Sequence, residues 1–324
     1  MNSRERFNIT LSYGKADRPP LFDEGMRDEV WKVWRSQGVG RLKDLYPFST
    51  YDTYLEFGPD LRPKPYLHGW PDPKINVKRY AQRMQADDPR RLPKGWRKKV
   101  KEWQQREYPL ILNIHDGFFI TLEVGEWTSF IETIRWVVDE PEYVHKVMEI
   151  KSQLIVGLVE RILKDILPDA VLFSEPIGGN HGPLISPRHY EEFVMKSYQP
   201  ILETVKNTGI QHIIMRTFAN ERALLPVMVK YGINTLWAYE RGNSAMDFNA
   251  IRAEFGRELR LIGGIDTDAI RSGETAIRRE LNNIRPLLDQ GGFIPLVDGR
   301  IREDIPLNNY LTYRVLLEKT ISGG

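Results

Sequence analysis

QHIIMRTFANERALLPVMVKYGINTLWAY, residues 211–239, holds one complete strand–helix–strand unit. QHIIM (211–215) and INTLWAY (233–239) are short, nearly unbroken apolar runs rich in β-branched and aromatic residues. Between them a helix begins near Asn220 and carries Leu224, Leu225, Val227 and Met228. Runs that are apolar without alternation suit strands covered on both faces, as in parallel sheets with crossover helices.

The pattern extends in both directions. PLILNI (109–114), AVLFSE (170–175), LRLIGG (259–264) and GGFIPLV (291–297) read the same way. Helix starts lie between them: Pro141, Ser186-Pro187, Asp247 and Pro306 each open an amphipathic stretch, and Gly209 closes one. Two more strands are expected upstream, at PPLFDE (19–24) and DTYLEFG (52–58). The prediction is an α/β fold, a single (β/α)8 barrel formed by residues 1–324 as one domain. No GxGxxG or GxxxxGK[ST] follows the first strands, which disfavours an open doubly wound sheet.

Composition narrows the function. Of 324 residues, 41% are apolar and 28% charged, and the formal net charge is +2, so no global drive toward nucleic acid or membrane exists. There are no cysteines, which removes disulfides, thiolate zinc sites and cysteine nucleophiles. The N-terminus lacks the apolar core of a signal peptide, and no apolar run reaches membrane-spanning length, so a cytoplasmic location is expected. Residues 89–107 carry eight lysines and arginines against two glutamates. A solvated helix with Trp96 and Trp103 turned inward accounts for them better than a phosphate patch.

In barrels the chemistry sits where strands end. The strand ends here carry Asp23 and Glu24, His115 and Asp116, Glu175, Arg216, then Tyr239, Glu240 and Arg241, Asp266, and finally Asp298 and Arg300. So much charge on one rim is costly unless paired or used. The expected catalytic set is Glu175, His115, Glu240 and Asp298, with Glu175 and Glu240 facing one cavity and Glu175 as the acid. Arg216, Arg241, Arg300, Asp116, His181, Tyr239 and Asp23 are the expected substrate-binding set. His181 lies on a glycine-rich loop after the fourth strand, whereas His145 and His189 fall inside helices. No HExxH or HxH pattern exists, and no metal ligand is assigned.

SEPIGGNHGPLISPRHYEEFV with MKSYQPI, GGIDTDAI, GGFIPLVDGRIREDIPLNNY and the opening RERFNITLSYGKADRPPLF together resemble the uroporphyrinogen decarboxylase superfamily. The resemblance implies a (β/α)8 barrel with its cleft at the C-terminal face. It implies either porphyrinogen decarboxylation or zinc-dependent methyl transfer involving corrinoid proteins and thiols. Both fingerprints are altered. The arginine-rich segment after the first strand is replaced by FDEGMRDEVWKVW, and the histidine after the last strand by Val297-Asp298-Gly299-Arg300. The His-x-Cys pair and distant cysteine that hold zinc are replaced by Met215-Arg216-Thr217-Phe218 and Asp298-Gly299. Arg216 thus stands in or beside a metal-ligand position, where it would bind an anionic group or pair with Glu240 or Glu175.

The resemblance therefore implies methyl transfer or demethylation of a small molecule, with a corrinoid protein as partner and no zinc. A decarboxylase-type lyase holding a carboxylated substrate on Arg216, Arg241 or Arg300 is the alternative, and a catalytically silent ligand-binding barrel the third. A homodimer is expected; nucleic acid and membrane are not.

Overall fold

The computed structural model describes residues 1–67, 77–240 and 244–322. Among them are nine strands: β1 Leu55–Phe57, β2 Leu110–His115, β3 Ala170–Glu175, β4 Gly178–Gly179, β5 Gly182–Pro183, β6 His212–Phe218, β7 Thr235–Tyr239, β8 Arg260–Ile265 and β9 Phe293–Val297. All six apolar runs of the sequence supply one of these strands. The fold is α/β.

The chain divides into two compact units. One comprises residues 56–106 and 110–234. Here β2 and β3 are parallel, and so are β3 and β6. Their burial is nearly continuous along each strand, which matches the unbroken apolar sequence. Helix Pro141–Leu163 starts on its proline, and helix Lys196–Lys206 packs against it. The basic stretch forms helix Trp96–Gln104, whose Trp103 is buried with its ring 4.5 Å from that of Phe57.

The other unit comprises residues 1–55, 107–109 and 235–324. Within it β7, β8 and β9 are parallel neighbours in that order. Asp247 caps helix Phe248–Phe255 by accepting from the Ala250 N–H, and helix Leu307–Ile321 follows Pro306. The upstream segment differs from the expected strand. PPLFDE forms no strand, and pairing there is one parallel bridge, Met26 with Ile301. Pro19 and Pro20 remove two consecutive ladder donors, and the side chains of Asp23 and Glu24 are engaged elsewhere. DTYLEFG contributes only the three residues of β1. No helix among the described residues is long and apolar enough to cross a membrane.

Candidate active site

In the first unit, β2 and β3 carry different chemistry on their two sides. Ladder register slips between Asn113 and His115, a bulge at Ile114. Strict alternation would put Asn113 and His115 on one face. The bulge separates them: Asn113 lines a cavity, while the His115 ring lies 4.2 Å from that of Tyr198 on helix Lys196–Lys206.

On the helix side His115, Glu175 and Tyr198 are fully buried and bonded to one another. Glu175 Oε1 accepts from the Phe118 N–H at 2.8 Å, and Oε2 accepts from the Tyr198 hydroxyl at 2.7 Å. His115 Nδ1 accepts from the Gly117 N–H at 2.9 Å and lies 3.1 Å from the Tyr198 oxygen. These contacts assign the neutral ring with its proton on Nε2, leaving the Tyr198 proton for Glu175. Burial pushes the Glu175 carboxyl up to about 7, with the Phe118 and Tyr198 donors opposing. Burial also drives His115 well below its ordinary value, with the Lys151 ammonium adding to the effect. A second carboxyl, Glu221, is completely buried, accepts from the Phe218 N–H, and is raised well above its usual range by that burial. Gly117 permits the turn to close, since at φ +103° an added Cβ would lie 2.7 Å from the Ser174 carbonyl oxygen and 2.9 Å from Glu175 Oε1.

The cavity side is different. A space of about 690 Å³ is lined by Arg62, Asn113, Asp116, Lys151 and Ser174 among others. Glu175 does not line it; its neighbours Ser174 and Pro176 do. Lys151 is 5% exposed, and Nζ donates to the Leu61 carbonyl oxygen at 3.1 Å. Burial lowers its ammonium to about 8, partly opposed by the charge of Asp116. The sequence held a signal for it: Val144, Val147, Met148, Lys151, Leu154, Ile155 and Leu158 form one buried helical stripe, and the lysine interrupts it. Arg216, in register with Ser174 on the neighbouring strand, is 8% exposed and gives both terminal nitrogens to the carboxylate of Glu56. Its carboxylate partner in this unit was outside the expected set, because Glu56 belongs to a weakly patterned strand. Glu175, one of the two expected partners, is bonded elsewhere. His181 is exposed on the β4–β5 hairpin.

In the second unit, Glu240, Asp298 and Arg300 do come together, around a cavity of about 270 Å³ that also includes Arg27 and Asp266. Asp298 Oδ1 accepts from the Thr267 N–H at 3.0 Å and its hydroxyl at 2.5 Å, which ties it to the start of helix Thr267–Ser272. Glu240 is exposed, 3.8 Å from Arg27, and Arg300 donates to the Met26 carbonyl. Asp23 accepts from the Tyr310 hydroxyl at 2.6 Å and the Gly25 N–H at 2.6 Å. Tyr239 and Trp237 both donate to Glu24. Arg241 lies outside the described residues. Among the described residues no three His, Asp or Glu side chains converge as a metal-ligand set, and the sequence has no cysteine, so the described residues do not fit the thiolate-held zinc of the methyltransferase branch.

A sequence model of the uroporphyrinogen decarboxylase (URO-D) family matches residues 121–308. No curated protein sequence matches the chain. A solved methyltransferase from Methanosarcina mazei is similar in fold, with a TM-score of 0.67 at 14% identity over 98% of this chain and 99% of that one.

Proposed function

The chain belongs to the uroporphyrinogen decarboxylase family, and from that membership we propose that it is an enzyme of the methyl-transfer kind. It takes a methyl group from a small methylated substrate and delivers it to a corrinoid carried by a partner protein, without thiolate-bound zinc. In this reading the whole chain forms one closed (β/α)8 barrel, and the reaction is cytoplasmic. The fold likeness to a methyltransferase along nearly the full length of both chains supports it.

The observation that carries it concerns the acids that follow residues 19–22. A decarboxylase of a polycarboxylated tetrapyrrole needs several cations gathered around its substrate. Here that stretch presents Asp23 and Glu24, held by Tyr310, Trp237 and Tyr239. In the same unit Arg27 lies 3.8 Å from Glu240, and within the other unit Arg216 is paired with Glu56. This chemistry suits a neutral or cationic methylated group better than a set of carboxylates.

The test is a direct assay. Purified protein is mixed with cob(I)alamin and N-, O- or S-methyl donors, and the cobalamin spectrum is followed. The cobalt(I) electron pair forms the new bond to the methyl carbon, the bond from that carbon to N, O or S breaks, and the leaving atom takes a proton. Donor-dependent conversion to methylcob(III)alamin is expected. Release of CO2 from uroporphyrinogen, with no methyl transfer from any donor class, would overturn the proposal.

A further inference from the structure

Buried polar groups in folded proteins nearly always have hydrogen-bond partners, and exceptions call for an explanation. The cavity of about 690 Å³ holds one such exception and three further groups with bonding capacity to spare. Asn113 Oδ1 is buried with no hydrogen-bond partner among the described residues. The Asp116 carboxylate and the Ser174 hydroxyl, both lining the cavity, likewise make no side-chain hydrogen bond among those residues. Lys151 uses one of its three N–H groups, on a neutral carbonyl, and has no ion-pair partner within 4 Å there. Arg62 also lines the space.

The pattern of charge names the ligand. An ammonium that is 95% buried and hydrogen-bonded only to a neutral carbonyl is expensive to keep unless something anionic arrives to meet it. Asp116 in the same wall disfavours a dianion such as phosphate. It favours a ligand that carries both signs. The rest of the wall includes a second carboxylate, Glu123, which accepts from the Tyr66 hydroxyl at 3.1 Å, and Leu61, Ile120 and Val124, which suit an apolar body.

We propose that this cavity binds an amino acid or N-methyl amino acid with an apolar side chain. Its carboxylate accepts from Lys151 and Arg62, and its ammonium donates to Asp116 and Asn113 Oδ1. The assignment deepens the methyl-transfer reading by naming the substrate class and rests on that reading for its catalytic meaning. The lowered ammonium of Lys151 agrees with a cation waiting for its counter-ion.

Calorimetric titration of the whole chain, at neutral pH and without any corrinoid, tests it. The probes are N-methyl-L-leucine, L-leucine, isopentylamine (no carboxylate) and 4-methylpentanoate (no amine). At least one zwitterion is expected to bind, and each half-molecule about 30-fold or more weakly. Lys151→Met is expected to weaken the zwitterion by at least about 30-fold, and Asp116→Asn by about 10-fold. Asn113→Leu is the control for folding, because Oδ1 has no protein partner to lose. Its melting temperature should hold while affinity falls. Three outcomes overturn the proposal: 4-methylpentanoate binding as tightly as the amino acids, variants that bind like the parent, or no binding by folded protein at millimolar probe. Binding without methyl transfer to cob(I)alamin would leave this site standing and remove the catalytic reading. Methyl transfer from donors that lack a carboxylate, with no zwitterion bound, would do the reverse.

Discussion

Ser174 and Glu175 are neighbours at the end of one strand, yet they belong to opposite kinds of surroundings. On the side of Glu175, the buried carboxylate, the Tyr198 hydroxyl, the His115 ring and two backbone N–H groups bond one another. On the side of Ser174, the polar atoms of Asn113, Asp116 and Lys151 face open space with most of their bonding capacity unused. A completed network stabilises and rigidifies, whereas buried groups left open cost stability and are kept where a ligand completes them. The acid that sequence reasoning favoured as the catalytic one is thus on the completed side. The open side points to Asp116 and to Lys151.

Four experiments press on this contrast. The largest effect is expected from Glu175→Ala, which orphans the Phe118 N–H and the Tyr198 hydroxyl and leaves a cavity. Denaturant unfolding should show a loss of about 4 kcal/mol. A loss below about 1 kcal/mol would mean that the network is not structural.

The dependence of stability on pH should run in opposite senses on the two sides. Glu175 titrates near 7 in the fold and near 4.5 unfolded, so its contribution is present below pH 4.5 and lost as pH rises through 7. Lys151 titrates near 8 in the fold and 10.5 unfolded, so its contribution is present above pH 10.5 and lost as pH falls through 8. Asp116, Arg91, Asp60 and Arg62 all act on that lysine, and burial outweighs them. Each window is worth about 3 kcal/mol. Denaturation curves for Glu175→Gln and Lys151→Met should each flatten their own window. If either variant kept the parent slope in its window, that assignment would be wrong.

Arg216→Ala should cost about 2 kcal/mol, because it leaves the Glu56 carboxylate without its guanidinium in a position solvent only partly reaches. Adding Glu56→Gln should recover part of that loss. A double-mutant cycle showing no coupling would separate the two residues. The smallest effect is expected from Asp116→Asn, within about 0.5 kcal/mol of the parent in unfolding experiments, since no protein bond is removed.

Much of the architecture was legible in one dimension. Continuous apolar runs located β2, β3, β6, β7, β8 and β9, and proline and Asx starts located their helices, because burial on both faces of a strand and helix capping are local demands on residue type. The strand ends likewise marked a charged rim, and Glu240, Asp298 and Arg300 do share a cavity. Partners were not legible. Glu56 for Arg216, Trp237 for Glu24 and Tyr310 for Asp23 lie from 160 to 287 residues away in sequence, a separation that no period or motif encodes.

Which way a side chain faces was decided last of all. The one-residue slip between Asn113 and His115 put the amide into the cavity and the imidazole against Tyr198. A strand alternates with a period of two, so a single extra residue exchanges the faces of everything beyond it. The apolar pattern settles that the fold is α/β, and the absence of cysteine excludes a thiolate zinc site, from sequence alone. The division of the polar residues into bonded and waiting groups depends on register and on distant packing, and only the folded chain supplies those.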